Sequence, residues 1–111
     1  MKPKYGNKKT MVDRIMFASG AEASRWAELK LMLKARLITE LESQPVYVLA
    51  PGVKFAGASR AKPELRYQAD FAYVENGVKV VEDVKGVETQ VFRIKRHLMK
   101  SVHGIDVRVI K

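Results

Sequence analysis

A chain of 111 residues, 47% of them hydrophobic, is long enough for one packed core and too short for two. The lack of cysteine excludes a disulfide framework and a thiolate metal site, and the lack of any apolar run of about 18 residues excludes a membrane-spanning helix. Twenty-one Lys and Arg against twelve Asp and Glu leave a net charge of +9. That balance points to a polyanionic partner, nucleic acid first and an anionic membrane surface second, with a solvated basic surface as the bland alternative.

In chain order, MKPKYGNKKT is a basic start without the apolar stretch of a signal peptide, so the expected location is the cytoplasm. Residues 1–111 are expected to form a single domain with a basic arm over about residues 1–10. VDRIMFAS fits either a short strand or an irregular lead-in. Trp26, Leu29, Leu33 and Leu37 recur at helical spacing, which predicts a helix from Ser19 to about Glu42. Ser19 and Glu22 fit a capping box at its start, and Pro45 stops anything that runs on. Leu31, Met32 and Ile38 fall on its far side. VYVLA (46–50) predicts a buried strand, and residues 51–63 a long polar loop of the kind that often carries function.

Strands are predicted over about Leu65–Glu75 and Val78–Lys85, joined at Asn76-Gly77, a pair suited to a two-residue turn because both positions need φ > 0. Thr89 caps a second helix reaching about Val102, with Val91, Leu98 and Val102 inside, and IDVRVI (105–110) is a last strand lying parallel to a neighbour. The order helix, strand, strand, strand, helix, strand makes the fold α/β.

A two-residue turn sets Glu75 against Val78. Counting outward then pairs Val74 with Lys79, Ala72 with Val81, Asp70 with Asp83 and Gln68 with Lys85, all on one face. Tyr67, Phe71 and Tyr73 share the other face with Val80, Val84 and Glu82. Like charges directly opposed destabilise a sheet. Carboxylates converging on one point make a hard-oxygen site suited to Mg²⁺, which removes the penalty. Lys85, two residues beyond Asp83, brings an ammonium to any anion drawn there. A bulged or longer turn would instead place the two acids on different faces. Glu22 heads the apolar stripe and can approach the pair; it is equally the acid of a capping box.

With Asp70 before the hairpin, Asp83-Val84-Lys85 after it and Glu22 upstream, the chain resembles the PD-(D/E)XK nuclease superfamily. SGAEASRWAEL, YQADFAYVENG and VVEDVKGVET are similar to a small phage-encoded branch of it. Ala69 stands where the motif's proline would be. The resemblance covers about residues 19–110 and implies an αβββαβ restriction-endonuclease-like core, a mixed sheet flanked by helices. It implies a DNA endonuclease that hydrolyses phosphodiesters with Mg²⁺, for which Mn²⁺ substitutes. Asp70, Asp83 and the Val84 carbonyl would hold the metal. Lys85 would orient water or stabilise charge, and Glu22 would hold a second metal or a water. Lys8, Lys9, Arg60, Lys62, Arg93, Arg96 and Lys100 are the candidate DNA contacts, the last three on a helix with no acid. No membrane partner is expected. So short a chain has no separate base-reading domain, which favours structure-specific cleavage of branched or single-stranded DNA. A symmetric dimer, supported by Leu31, Met32 and Ile38, would suit junction resolution. The alternative is a non-catalytic nucleic-acid-binding protein. Trp26 is expected in the core, and His97 and His103 on the surface.

Overall fold

The computed structural model describes residues 8–111; Lys2 and Lys4 of the expected arm lie outside them. VDRIMFAS belongs to a hairpin, β1 (Thr10–Val12) and β2 (Ile15–Phe17), so the arm gives way to strand at Thr10. Its turn residues Asp13 and Arg14 have φ of 53° and 63°, a conformation that the Asp13 carboxylate secures by accepting from Trp26 Nε1 (2.9 Å) and Lys30 Nζ (2.8 Å).

The first helix, α1 (Gly20–Lys34), starts as expected, with Ser19 Oγ accepting from the Glu22 N–H. It ends eight residues earlier than the apolar spacing suggests, because Arg36 turns left-handed at φ 62° and the chain leaves as strand β3 (Thr39–Ser43). The buried stripe is therefore Ala23, Trp26 and Leu29, while Leu33 and Leu37 are exposed. Ile38 and Met32, expected outside, turn inward: Ile38 is 1% exposed and Met32 packs against the same core. Only Leu31 of the proposed dimer residues stands in solvent, which leaves that dimer face without support.

Strands β4 (Val46–Ala50) and β5 (Leu65–Gln68) form a two-stranded antiparallel ribbon. Strand β6 (Phe71–Glu75) follows, then Asn76-Gly77 with φ 53° and 76°, then β7 (Val78–Val84). The register matches the expected pairing from Glu75↔Val78 to Phe71↔Glu82. Helix α2 (Gln90–His103) begins at the Thr89 cap and ends at Gly104, in the left-handed conformation that terminates helices. The last strand, β8 (Val107–Ile110), lies parallel to β7, as expected for a strand returning after a crossover helix. The main sheet runs β3-β6-β7-β8, antiparallel at its first two junctions and parallel at the third. The fold is thus α/β, with two helices and a mixed sheet.

Each face of the sheet buries a cluster. Phe71, Tyr73 and Val80 pack with Trp26 and Leu29 of α1 and with Phe17 and Ile38. Ala72, Val81 and Val107 pack with Phe92 and Met99 of α2 and with Leu49 and Tyr67. Helix α2 is therefore rotated from the expected orientation: Val91 and Val102 face solvent, and Phe92 and Met99 face the core.

One strand was expected over 65–75, but it breaks at Ala69-Asp70. There the main sheet creases into the β4–β5 ribbon, opposite Gln44-Pro45 on the neighbouring strand. Gln44 N–H donates to Asp70 O (2.8 Å), and Ala69 N–H to Pro45 O (3.0 Å). Pro45 has no N–H to continue a regular ladder. The crease resets the alternation, so Tyr67 falls on the α2 side and not with Phe71, and Gln68 pairs with Val46 and not with Lys85. Among the described residues no helix is long and apolar enough to cross a membrane.

Candidate active site

Asp70 sits in the crease and Asp83 near the end of β7, one step outward from the Phe71↔Glu82 pair. The Asp70 carboxyl is near enough to Asp83 to feel it as a like charge. The regular pairing expected from the sequence stops at Phe71↔Glu82, so Asp70 stands beside Asp83 from the crease and not as its strand partner. Asp70 Oδ2 accepts from the Val84 N–H at 2.7 Å, taking a donor that a straight strand would have bonded with its backbone. Asp83 is 2% exposed, and its Oδ2 accepts from the Tyr67 hydroxyl at 2.5 Å. Lys85 Nζ is 3.7 Å from the same oxygen and 4.8 Å from the centre of the Phe92 ring, so an ion pair and a cation–π contact hold the ammonium beside the acids.

Two neighbouring carboxyls, one buried and one half-buried, do not both ionise readily. Burial, the hydrogen bond to Asp83 and repulsion from it push the Asp70 carboxyl up to about 8, against the pull of the Val84 N–H. Burial and the bond to Asp83 likewise raise the Tyr67 phenol, which stays a donor. Glu22 is raised as well, by burial first and by repulsion from Asp83 next, which places the α1 acid in the same electrostatic neighbourhood. Its Oε2 accepts from the Ala18 N–H at 3.3 Å, so the helix-start role is also real. Glu22, Asp70, Lys9, Gln44 and Gln68 line an open cleft of about 300 Å³ beside the pair.

This arrangement gives a test in the protein alone. The folded Asp70 keeps its proton up to about 8 against an ordinary value of 3.8, so folding takes up a proton between those values. The associated stability is complete below pH 3.8 and is lost as pH rises through 8. The urea midpoint is expected to fall over this range in metal-free buffer, and Asp70→Asn to remove part of that fall. A pH profile unchanged by Asp70→Asn would contradict the shared proton.

Among the described residues no group of three or more His, Cys, Asp or Glu side chains is placed to hold a metal ion by itself. The donor set nevertheless fits a hard cation. Two neighbouring acidic oxygen ligands, one neutralised only by a retained proton, are suited to Mg²⁺, which keeps several waters and needs few protein ligands.

The expected DNA contacts are spread out. Lys9 lies on the cleft; Lys8, Arg60 and Lys62 are exposed elsewhere on the surface. On α2, Arg93, Arg96 and Lys100 line one shallow groove with His97. Two of these three cations have acidic partners outside the helix, contrary to expectation: Arg96 with Glu88 (3.4 Å) and Lys100 with Asp106 (2.8 Å). Arg93 makes no ion pair among the described residues. His103 is tied to the fold, donating from Nε2 to Val48 O at 2.8 Å.

Sequence reasoning missed two groups. Tyr67, read as core, holds Asp83. Glu82, fully buried on the α1 face, accepts from Arg25 Nε (2.7 Å) and Nη2 (3.0 Å) and from the Tyr73 hydroxyl (2.8 Å), which in turn accepts from Arg108 (3.1 Å). The signal for Arg25 was its place one helical turn after Glu22, on the side that meets the sheet. The Arg25 guanidinium is held above its usual range, by the bonds to Glu82 first. This pair ties α1 to β7, and so fixes the helix carrying Glu22 against the strand carrying Asp83.

No curated protein and no solved structure matches this chain. A family model matches residues 2–109, and the chain belongs to that family, described as Protein of unknown function (DUF1064).

Proposed function

We propose that this protein is a divalent-metal-dependent DNA endonuclease with a PD-(D/E)XK-type αβββαβ core, acting on branched or single-stranded DNA. The observation that carries the reading is the Asp70 carboxyl, held on the Val84 N–H at 2.7 Å, beside the buried Asp83 with the Lys85 ammonium 3.7 Å from it. Asp70, Asp83 and the Val84 carbonyl would hold Mg²⁺, with Glu22 beside them. The metal supplies Lewis-acid polarisation of the phosphate and a lowered pKa for a bound water. The attacking water oxygen bonds to phosphorus, the bond from phosphorus to the 3′ oxygen breaks, and a proton returns to that oxygen. The products are a 5′-phosphate and a 3′-hydroxyl. Lys85, anchored by Phe92 and Asp83, stabilises the charge that grows on the phosphoryl oxygens. Tyr67 fixes the rotamer of Asp83 through its Oδ2. Arg93, Arg96 and Lys100 with Lys8, Lys9, Arg60 and Lys62 engage phosphates.

The second reading, nucleic-acid binding without turnover, is favoured by the bonds that Asp70 and Asp83 already make to Val84 and Tyr67, which a purely structural pair would also make. One experiment separates the two. Four-way junction, flap, duplex and single-stranded DNA are incubated with the protein in Mg²⁺ or in EDTA. Cleavage of the branched or single-stranded substrates in Mg²⁺ alone is expected. The metal should also raise Tm at pH 8.5: at ten times its Kd it adds about 1.4 kcal/mol, or about 5–10 °C for a domain of this size. Salt-sensitive binding that ignores EDTA, with no cleavage and no change in Tm, would establish the second reading.

A further inference from the structure

The segment 51–63, PGVKFAGASRAKP, carries Lys54, Arg60 and Lys62 and no acid. It is a built hairpin. Val53 N–H donates to Lys62 O (3.1 Å) and Lys62 N–H to Val53 O (2.6 Å). Gly52 lies so close to the returning strand that a Cβ there would fall 2.6 Å from the Lys62 carbonyl oxygen. At the tip, Ala58 N–H donates to Phe55 O (3.1 Å) and Gly57 takes φ 79°, as the third residue of such turns often must.

Phe55 stands on this fixed turn with 63% of its surface in solvent, and Val53 below it is exposed too. Among the described residues none of Lys54, Arg60 and Lys62 forms an ion pair. The fold thus holds an aromatic ring out of its own core, on a hydrogen-bonded turn, on a segment whose cations have no acidic partner among the described residues. The matching surface is apolar and flat at its centre and anionic at its rim, as a base stack between its phosphates is. The hairpin also leads directly into β5. From Ala58, whose amide bonds Phe55 at the tip, to Asp70 is twelve residues, at most about 40 Å of extended chain, a little over one turn of duplex at about 34 Å.

We infer that Phe55 is a wedge that inserts into the base stack of the nucleic acid held at the Asp70–Asp83 site, with Lys54, Arg60 and Lys62 on the neighbouring phosphates. The inference rests on the nucleic-acid reading above and gives its substrate preference a physical basis. Opening a stack costs least where bases are already unpaired, so the wedge selects branch points and single strands over intact duplex.

The test uses the full chain in EDTA, where nothing is cut, titrated into a four-way junction with 2-aminopurine at the branch and into a linear duplex with the same label. The wild type is expected to bind the junction at least about fivefold more tightly than the duplex and to change the 2-aminopurine emission, since one stacked base contributes about 5- to 150-fold in affinity. Phe55→Ser should abolish the emission change and the junction preference while leaving duplex affinity and Tm unaltered, and Phe55→Trp should restore both. If the wild type binds the junction and Phe55→Ser matches it in affinity and emission, the wedge is overturned and the nucleic-acid reading stands. If the wild type binds neither DNA, both fall. Phe55-dependent binding to phosphatidylserine vesicles, with DNA binding indifferent to Phe55, overturns the wedge in favour of a lipid surface.

Discussion

Asp83→Ala is expected to reduce Mg²⁺-dependent cleavage by at least about 10³-fold while DNA binding persists. The charge stabilisation that a metal lends a phosphoryl transition state is worth several kcal/mol, and about 4 kcal/mol corresponds to about 10³ in rate. The substitution strands the buried Tyr67 hydroxyl, at a cost of about 1–3 kcal/mol, and relieves Asp70 of a neighbouring like charge, so the loss of stability is partly offset. Removing a negative charge from a surface meant for phosphate should leave affinity equal or slightly higher. Lys85→Ala, which removes one charge-stabilising donor, should cost about 10²–10³-fold. The two measurements are single-turnover cleavage in Mg²⁺ and equilibrium binding in EDTA. Undiminished cleavage by Asp83→Ala would remove the site from Asp70, Asp83 and Lys85 altogether.

Arg25→Ala is expected to be the most destabilising single truncation outside the apolar core, at about 3–5 kcal/mol, because it strands a buried charge. Glu82 is fully buried, and Arg25 provides two of its three hydrogen bonds. Arg25→Lys should recover little, since an ammonium cannot reproduce the two-pronged contact. The double variant Arg25→Met with Glu82→Leu should recover much of the loss, because no unpaired charge is left inside. Urea denaturation at neutral pH measures all three. A loss below about 1 kcal/mol in Arg25→Ala would place the pair among ordinary surface bridges.

The parts of this fold that the chain announces locally are those whose chemistry is complete within a few residues. Asn76-Gly77 supplies both positive φ values its turn needs, so the register out to Phe71 and Glu82, one step short of Asp70 and Asp83, could be counted directly. Ser19 and Thr89 each place a side-chain oxygen on a free amide three residues ahead. What the chain hides depends on partners distant in sequence. Helix α1 ends at Lys34 without a glycine or proline, while Leu37 and Ile38 continue an apolar rhythm; residues 39–43 become strand because β6 offers them a ladder. The Asp13-Arg14 turn carries no glycine and relies on Trp26 and Lys30 to hold it. In α2, Val91 and Leu98 repeat at the same interval as Phe92 and Met99, so spacing alone does not choose between the two faces; Phe92 and Met99 took the core, with Leu98 packed at its edge and Val91 outside. The break beside Asp70 is set opposite Pro45, some twenty-five residues upstream on another strand. The pair of acids was therefore legible, but the geometry that aims them, along with Tyr67 and Arg25, was not.

That crease limits what the chain can tolerate nearby. With Gln44 bonded to the Asp70 carbonyl and Pro45 receiving the Ala69 amide, the two-residue span between Ser43 and Val46 acts as a ruler for the first acid. One residue added there would hand the Asp70 carbonyl to a different donor and swing the outer ribbon by half a pleat. Length variation in this protein should thus be forbidden at a short connector that bears no reactive group of its own.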